Sequence, residues 1–226
     1  MFKIILFDAD NTLLDFDSGQ YVSFRKVLDW YGIPYTREIY EEYIRLNHVF
    51  WSAFERGEIA SDYVQTQRFC VLFENLGRDI NALEANEKYQ ETLKKQSQLM
   101  PYAKEVCSKL SVSKTLAIVT NGIGATQKAR MAKTGIAKYF SHIVVSEDVG
   151  FQKPDVRLFN EVFARLGNPN LNDILMVGDS LSSDMQGGIN AGIHTCYFNP
   201  TNQDSKTEVQ PNYRIRDLRE LINIAK

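Results

Sequence analysis

This 226-residue chain predicts an α/β fold: a parallel sheet covered by helices, with an all-helical block inserted after the first strand. Three observations carry the expectation. From Met100 onward, short apolar runs alternate with helix-length amphipathic segments, the rhythm of successive β-α-β units. One more apolar run, Ile4-Ile5-Leu6-Phe7, stands alone at the N-terminus, and residues 18–98 after it have helical periodicity without a strand. Finally, polar residues gather where the apolar runs stop, which is where open parallel sheets place their ligands.

The elements follow in order. Ile4 to Phe7 is wholly apolar, as strands buried on both faces are, and Leu14 to Asp17 reads as a turn leaving the sheet. Ser18 is expected to cap a first helix reaching Tyr31, with Gly32 and Pro34 as stop signals. Thr36 opens a second helix through Glu55, Ser61 caps a third to Leu76, and a polar fourth spans Ala82 to Gln96. Tyr21, Phe24, Trp30, Tyr31, Phe50, Trp51, Phe54, Phe69 and Phe73 crowd this block and are expected to form the interior of a small bundle, with one or two left to stack on a flat ligand. Next come a helix from Pro101 to Leu110, a strand from Thr115 to Val119 and a helix from Ala125 to Thr134. A strand over His142–Ser146 precedes a helix from Asp155 to Leu166. A strand over Ile174–Val177 leads to a helix from Ser183 to Ala191, then to a strand over His194–Phe198 and a closing helix from Leu218. The stretch from Pro200 to Pro211 is polar and reads as a mobile loop. The division expected is residues 1–17 and 99–226 as an α/β catalytic core, with 18–98 as a helical domain.

Composition narrows the function. A 44% hydrophobic and 24% charged chain has ordinary globular proportions. Its formal net charge of −2 supplies no global basic field for a nucleic acid polymer. No basic segment leads into an apolar core and cleavage site, and no apolar run approaches membrane-span length, so neither a signal peptide nor a membrane partner is expected. Cys70, Cys107 and Cys196 are odd in number and lack paired spacing, which predicts free thiols in a reducing, cytoplasmic compartment. Oligomeric state is not legible.

Chemistry concentrates at four signatures: Asp8-x-Asp10-x-Thr12, Thr120-Asn121-Gly122, Lys153-Pro154, and Gly178-Asp179-Ser180 leading to Ser183-Asp184. All follow predicted strands, so they converge on one sheet edge. Asp8 and Asp10 are two apart and can face one ligand together. Two such charges repel unless a cation lies between them or one holds a proton, so one acid is expected to bind metal and attack while the other carries a proton. Carboxylates with hydroxyls suit a hard cation, Mg²⁺ first. Lys153, Thr120 and Asn121 add donors, a set suited to a phosphoryl group held between metal and lysine.

These four signatures resemble the motifs of the haloacid dehalogenase superfamily, whose Rossmann-like core carries a helical cap where residues 18–98 fall. Phe7-Asp8-Ala9-Asp10-Asn11-Thr12-Leu13, Ser146-Glu147-Asp148-Val149-Gly150 and Gly187-Gly188-Ile189-Asn190-Ala191-Gly192 are most similar to its bacterial pyrimidine 5′-nucleotidases of the YjjG type. The resemblance implies a Mg²⁺-dependent phosphomonoester hydrolase acting on a small phosphorylated metabolite, a pyrimidine nucleoside 5′-monophosphate. It implies that Asp8 attacks phosphorus to form an aspartyl-phosphate and that Asp10 moves protons to the leaving oxygen and from water. Mg²⁺ would be held by the Asp8 carboxylate, the Asp10 main-chain carbonyl and Asp179, with Asp184 acting directly or through water. Thr120 and Lys153 would hold phosphoryl oxygens, with Asn121 and Gly122 as further donors. The cap would read the base, and Asn47, Trp51 and Arg68 have suitable chemistry.

Other readings fare worse. A calcium loop fails because its sixth and twelfth positions are Leu13 and Gly19. Gly122-x-Gly124-x-x-Gln127 lacks the third glycine of a dinucleotide fingerprint, and His48, His142 and His194 belong to no nucleophile motif. Asp184 has one competing role, as a helix cap beside Ser183. The functional alternatives are a sugar-phosphate phosphatase or mutase, and a 2-haloacid dehalogenase, which needs neither metal nor a proton-carrying Asp10.

Overall fold

A computed structural model describes residues 1–202 and 208–226. The elements run β1 (Ile4–Phe7), α1 (Phe16–Trp30), α2 (Arg37–Glu55), α3 (Ser61–Asn75), α4 (Ala82–Leu93), α5 (Ala103–Leu110) and β2 (Thr115–Thr120). Then follow α6 (Gly124–Thr134), β3 (His142–Val145), α7 (Ser146–Val149), α8 (Val156–Arg165) and β4 (Ile174–Gly178). A π-helical turn over Leu181–Met185 leads to α9 (Gln186–Asn190), β5 (His194–Phe198), β6 (Tyr213–Ile215) and α10 (Leu221–Ile224). Two compact units result: Met1–Phe16 with Ser97–Lys226, and Asp17–Gln96.

In the first unit the strands pair in the order β3-β2-β1-β4-β5-β6, every pair parallel. The chain builds outward from β1 to β3, then returns to β1's other side with β4. The switch point therefore lies between β1 and β4, where doubly wound sheets bind ligands. Alternation along the strands divides the interior in two. Ile5 and Phe7 join Leu116, Ile118, Leu175 and Val177 against α5 and α10 on one face. Ile4 and Leu6 join Ala117, Val119, Val144 and Met176 against Leu158, Phe159 and Val162 of α8 on the other. Each strand end is thus pinned from both sides.

Several boundaries differ from the expectation, for local reasons. The first helix starts at Phe16, two residues before Ser18, because the Asn11 side chain supplies its first acceptor, taking the Phe16 N–H at 3.1 Å. Ser61 is the first residue of α3 and not its cap. Asn81 caps α4 through bonds from Leu83 and Glu84 N–H, and that helix ends at Leu93. Thr36 and Asp155, expected as the first residues of their helices, cap α2 and α8. Strand β6, three residues long, was not expected; its pairing with β5 extends the sheet past the polar Pro200–Pro211 stretch. Residues 203–207 of that stretch lie outside the described residues.

The second unit packs Phe24, Tyr43, Phe69, Phe73 and Tyr89 inside its helices. Phe24 stacks on Tyr43 with centroids 4.2 Å apart, and Phe69 stacks near Phe73. Trp30, by contrast, is exposed, with the Lys88 ammonium 3.5 Å from its ring centroid.

Candidate active site

The loop after β1 is shaped by its own backbone. The Ala9 carbonyl accepts N–H bonds from Leu13 and Leu14, and Asn11 takes a left-handed conformation at φ 55° that asparagine tolerates. Asp8 and Asp10 are thereby held just past the central strand, but with different partners.

Asp8 belongs to a buried charged cluster. The Lys153 ammonium, 1% exposed, donates to Asp8 Oδ1 at 2.6 Å, to Asp184 Oδ1 at 2.7 Å and to the Val119 carbonyl at 2.8 Å. An ammonium has three donors, so all are engaged. Direct contact with a phosphoryl oxygen, as expected of Lys153, therefore requires one of these bonds to be exchanged. Asn121 explains why the lysine stands there: its Nδ2 donates to the Lys153 carbonyl at 3.0 Å and its Oδ1 accepts the Lys153 N–H at 2.8 Å. Asn121, expected beside Thr120 as a phosphate donor, clamps the lysine backbone through these two bonds.

Asp184 lies in the π-helical turn, a widened geometry often found at functional positions. Its Oδ2 accepts the Ser180 N–H at 3.0 Å, while the Ser180 hydroxyl accepts the Ser183 N–H. Ser180 is therefore the cap, and Asp184 faces the cluster. Gly178 leaves the room for it, since a Cβ there would overlap the Asp184 carboxylate. Asp179 receives the Thr12 hydroxyl at 3.2 Å.

Oxygens of Asp8, Asp179 and Asp184 lie within 4.8 Å of one another. Three carboxylates sharing one ammonium leave an excess of two negative charges, the charge a divalent cation carries. The donors are all oxygen, which fits a hard cation such as Mg²⁺. Electrostatics agree. Burial pushes the Asp8 carboxyl up to about 7, with Lys153 pulling down and Asp184 and Asp10 pushing up. Burial, with the Asp8 and Asp184 carboxylates beside it, holds Asp179 well above its ordinary value despite Lys153 and the Thr12 hydroxyl. For Lys153, burial acts to lower the value, but Asp184 and Asp8 outweigh it and keep the ammonium charged.

The Asp10 carboxylate stands outside that trio. Gln127 Nε2 donates to its Oδ2 at 2.6 Å and Arg130 Nη1 to its Oδ1 at 2.5 Å. Gln127 Nε2 also donates to the Thr120 hydroxyl at 3.1 Å, which accepts the Gly122 N–H at 3.2 Å as well. With both bonds accepted, the Thr120 proton remains to be donated. Gln127 and Arg130 were not among the expected site residues. Their signal was available: two polar residues three apart on α6, which begins just after Thr120-Asn121-Gly122.

In the helical unit, Arg68 is 2% exposed and donates to Asn47 Oδ1 at 2.6 Å and Asn86 Oδ1 at 3.1 Å, with its guanidinium 4.6 Å from the Tyr89 ring centroid. Among the expected base readers, Arg68 and Asn47 are thus joined, and Arg68 serves first as an internal packing centre. Trp51 is half-buried and meets Phe54 edge-on.

A doubly wound α/β enzyme with a metal-competent acidic centre at its switch point is the class these features define. The family model for haloacid dehalogenase-like hydrolases matches residues 5–198, and the chain belongs to that family. It is 37% identical to the HAD-hydrolase YfnB of Bacillus subtilis, over 99% of this chain and 95% of that one. It is 33% identical to the pyrimidine 5′-nucleotidase YjjG of Escherichia coli (96% and 95% covered) and 32% identical to the pyrimidine 5′-nucleotidase PynA of Streptococcus pneumoniae (98% and 94%). A crystal structure of YfnB bound to magnesium superposes with a TM-score of 0.95 at 36% identity, covering 99% of this chain and 98% of that one.

Proposed function

We propose that this chain is a Mg²⁺-dependent phosphomonoesterase that acts through an aspartyl-phosphate on Asp8, with pyrimidine nucleoside 5′-monophosphates as its substrates. The observation that carries the reading is the separation of the two acids: Asp8 is held by Lys153 inside the buried carboxylate trio, and Asp10 is held apart by Gln127 and Arg130. One carboxylate is thereby a nucleophile and the other a proton carrier. The likeness to YjjG and PynA supports the substrate class.

In the first step an Asp8 oxygen bonds to phosphorus, the bond from phosphorus to the leaving oxygen breaks, and that oxygen takes the Asp10 proton. In the second, Asp10 takes a proton from water as its oxygen attacks phosphorus, which releases phosphate and restores Asp8. The Thr120 hydroxyl donates to a phosphoryl oxygen, and Lys153 offsets charge on Asp8 and Asp184 throughout. Asp8, Asp179, Asp184 and the Asp10 carbonyl would hold Mg²⁺, which when bound would supply electrostatic stabilisation of the transferring phosphoryl group. A 2-haloacid dehalogenase would leave the Asp10 proton relay without a use. Base selection is assigned to the helical unit, with Asn47 and Trp51 the more accessible of its three candidates.

Phosphate release from a panel of nucleoside mono-, di- and triphosphates, sugar phosphates and p-nitrophenyl phosphate, with Mg²⁺ or EDTA, tests this. Turnover of pyrimidine monophosphates that EDTA abolishes is expected. Preference for sugar phosphates would move the chain to the alternative substrate class, and no release from any compound would sink the reading.

A further inference from the structure

Gln127 and Arg130 perform a task that no part of the reaction scheme above requires by itself. Both side chains are 1% exposed, whereas the Asp10 side chain they hold is 28% exposed and within reach of water. Solvent could satisfy Asp10 unaided. Burying a guanidinium against it instead brings a desolvation penalty that such ion pairs often fail to recover as stability. Orientation is what the arrangement provides. Each Asp10 oxygen accepts one bond from a buried donor, Oδ2 from Gln127 and Oδ1 from Arg130, so rotation of the carboxylate is blocked while one face stays open. The donors are themselves tied together, because Arg130 Nη1 also reaches Gln127 Oε1 at 3.3 Å. Through Nε2, Gln127 bridges to the Thr120 hydroxyl, so the proton carrier and the hydroxyl assigned to a phosphoryl oxygen share one positioning group.

The backbone is adapted to this bridge. A Cβ on Gly122 would overlap the Gln127 amide, so only glycine at that position lets the side chain pass from α6 to Asp10. Residues 122, 127 and 130 therefore form one device.

We propose that Gln127 and Arg130 are positioning residues that fix the Asp10 carboxylate for proton transfer to the leaving oxygen, and that Gly122 is the clearance that lets them do so. The inference rests on the phosphomonoesterase reading. Misalignment of a reacting group by about 1 Å can lower the rate about 10²-fold, and in the first step only where the leaving oxygen must take a proton. An alkoxide leaving from a nucleoside 5′-monophosphate needs that proton; p-nitrophenolate does not.

The test compares kcat/KM for uridine 5′-monophosphate, or another alkyl phosphate the panel finds turned over, with that for p-nitrophenyl phosphate. Arg130→Met, Gln127→Leu and Gly122→Ala are the variants. Gln127→Leu is the arm least exposed to misfolding, since it is close to isosteric and introduces no charge. Thermal melts and Mg²⁺ binding identify the variants that keep the native fold. Expected is a loss of about 10- to 100-fold in kcat/KM on the alkyl ester; that ratio omits the later water attack, which Asp10 serves for both esters. Arg130→Met should change kcat/KM on p-nitrophenyl phosphate less than about threefold, and Gln127→Leu and Gly122→Ala, which also disturb Thr120, should lose less on it than on the alkyl ester. Equal losses on both esters in the folded variants, or no loss on either, would overturn the proposal. Wild-type protein that hydrolyses neither ester would overturn the phosphomonoesterase reading and this inference with it.

Discussion

Asp8 and Asp10 are chemically alike and two positions apart, yet their surroundings make them different groups. Asp8→Asn keeps the shape and removes the nucleophile, so phosphate release should fall to background while the melting temperature stays within a few degrees of wild type. Asp10→Asn should lower kcat by about 10²–10⁴-fold, the range of a general acid-base contribution, and still bind Mg²⁺ through its main-chain carbonyl. Retained activity in both would refute the assigned roles. The cysteines allow an independent check. Burial pushes the Cys107 and Cys196 thiols up to about 12, whereas Cys70, half-buried, is raised by its hydrogen bond to Glu74. Native protein at pH 8 should therefore react at Cys70 alone with a chromogenic disulfide, and at all three thiols once unfolded. Because the folded values of Cys107 and Cys196 lie above the ordinary value of 9.0, their contribution to stability is complete below pH 9 and lost as pH rises toward 12. Urea melts across that window would show the decline.

At the scale of elements, the turns after strands decide the chemistry. The π-helical turn over Leu181–Met185 carries Asp184 to Lys153, and it closes only because Gly178 has no side chain. Gly178→Ala should lower stability by about 1–3 kcal/mol, as overpacking does, and should lower turnover further by displacing Asp184. Unchanged Mg²⁺ affinity and turnover in that variant would show that the turn can relax without moving the acid. Helix starts were legible to within a residue where they lie next to a clean periodic run, as at Thr36 and Asp155. The start of α1 was not, because its acceptor, Asn11, sits five residues upstream in a loop whose φ is positive. β6 was missed for a different reason: three residues, two exposed and one buried, carry no periodic signal, and only pairing with β5 makes them a strand.

For the whole molecule, the acidic centre links stability to metal. Burial raises the folded value of Asp8 to about 7 from the ordinary 3.8, so its contribution to stability is complete below that ordinary value and lost as pH rises through 7. Mg²⁺ should reverse the loss. At a concentration 100 times its Kd it should add about 2.7 kcal/mol to the unit that binds it, a rise in melting temperature of roughly 5–10 °C. The rise should shrink below pH 7, where Asp8 takes a proton, and vanish with EDTA. Calorimetry at pH 6 and pH 8 would check the sign, and a larger shift at pH 6 would contradict it. What the sequence by itself determined was the parallel α/β order and the residues at its strand ends, because apolar period and the placement of polar groups after buried strands are local properties of the chain. It also carried the motifs that identify the family. Only the tertiary structure decided which partner each of those groups takes. Lys153 is saturated by Asp8, Asp184 and Val119, Asn121 clamps a backbone, and Gln127 with Arg130 holds Asp10. Those pairings join residues up to 145 positions apart, and a hydrogen bond is set by distance and direction in space, which spacing along the chain does not encode.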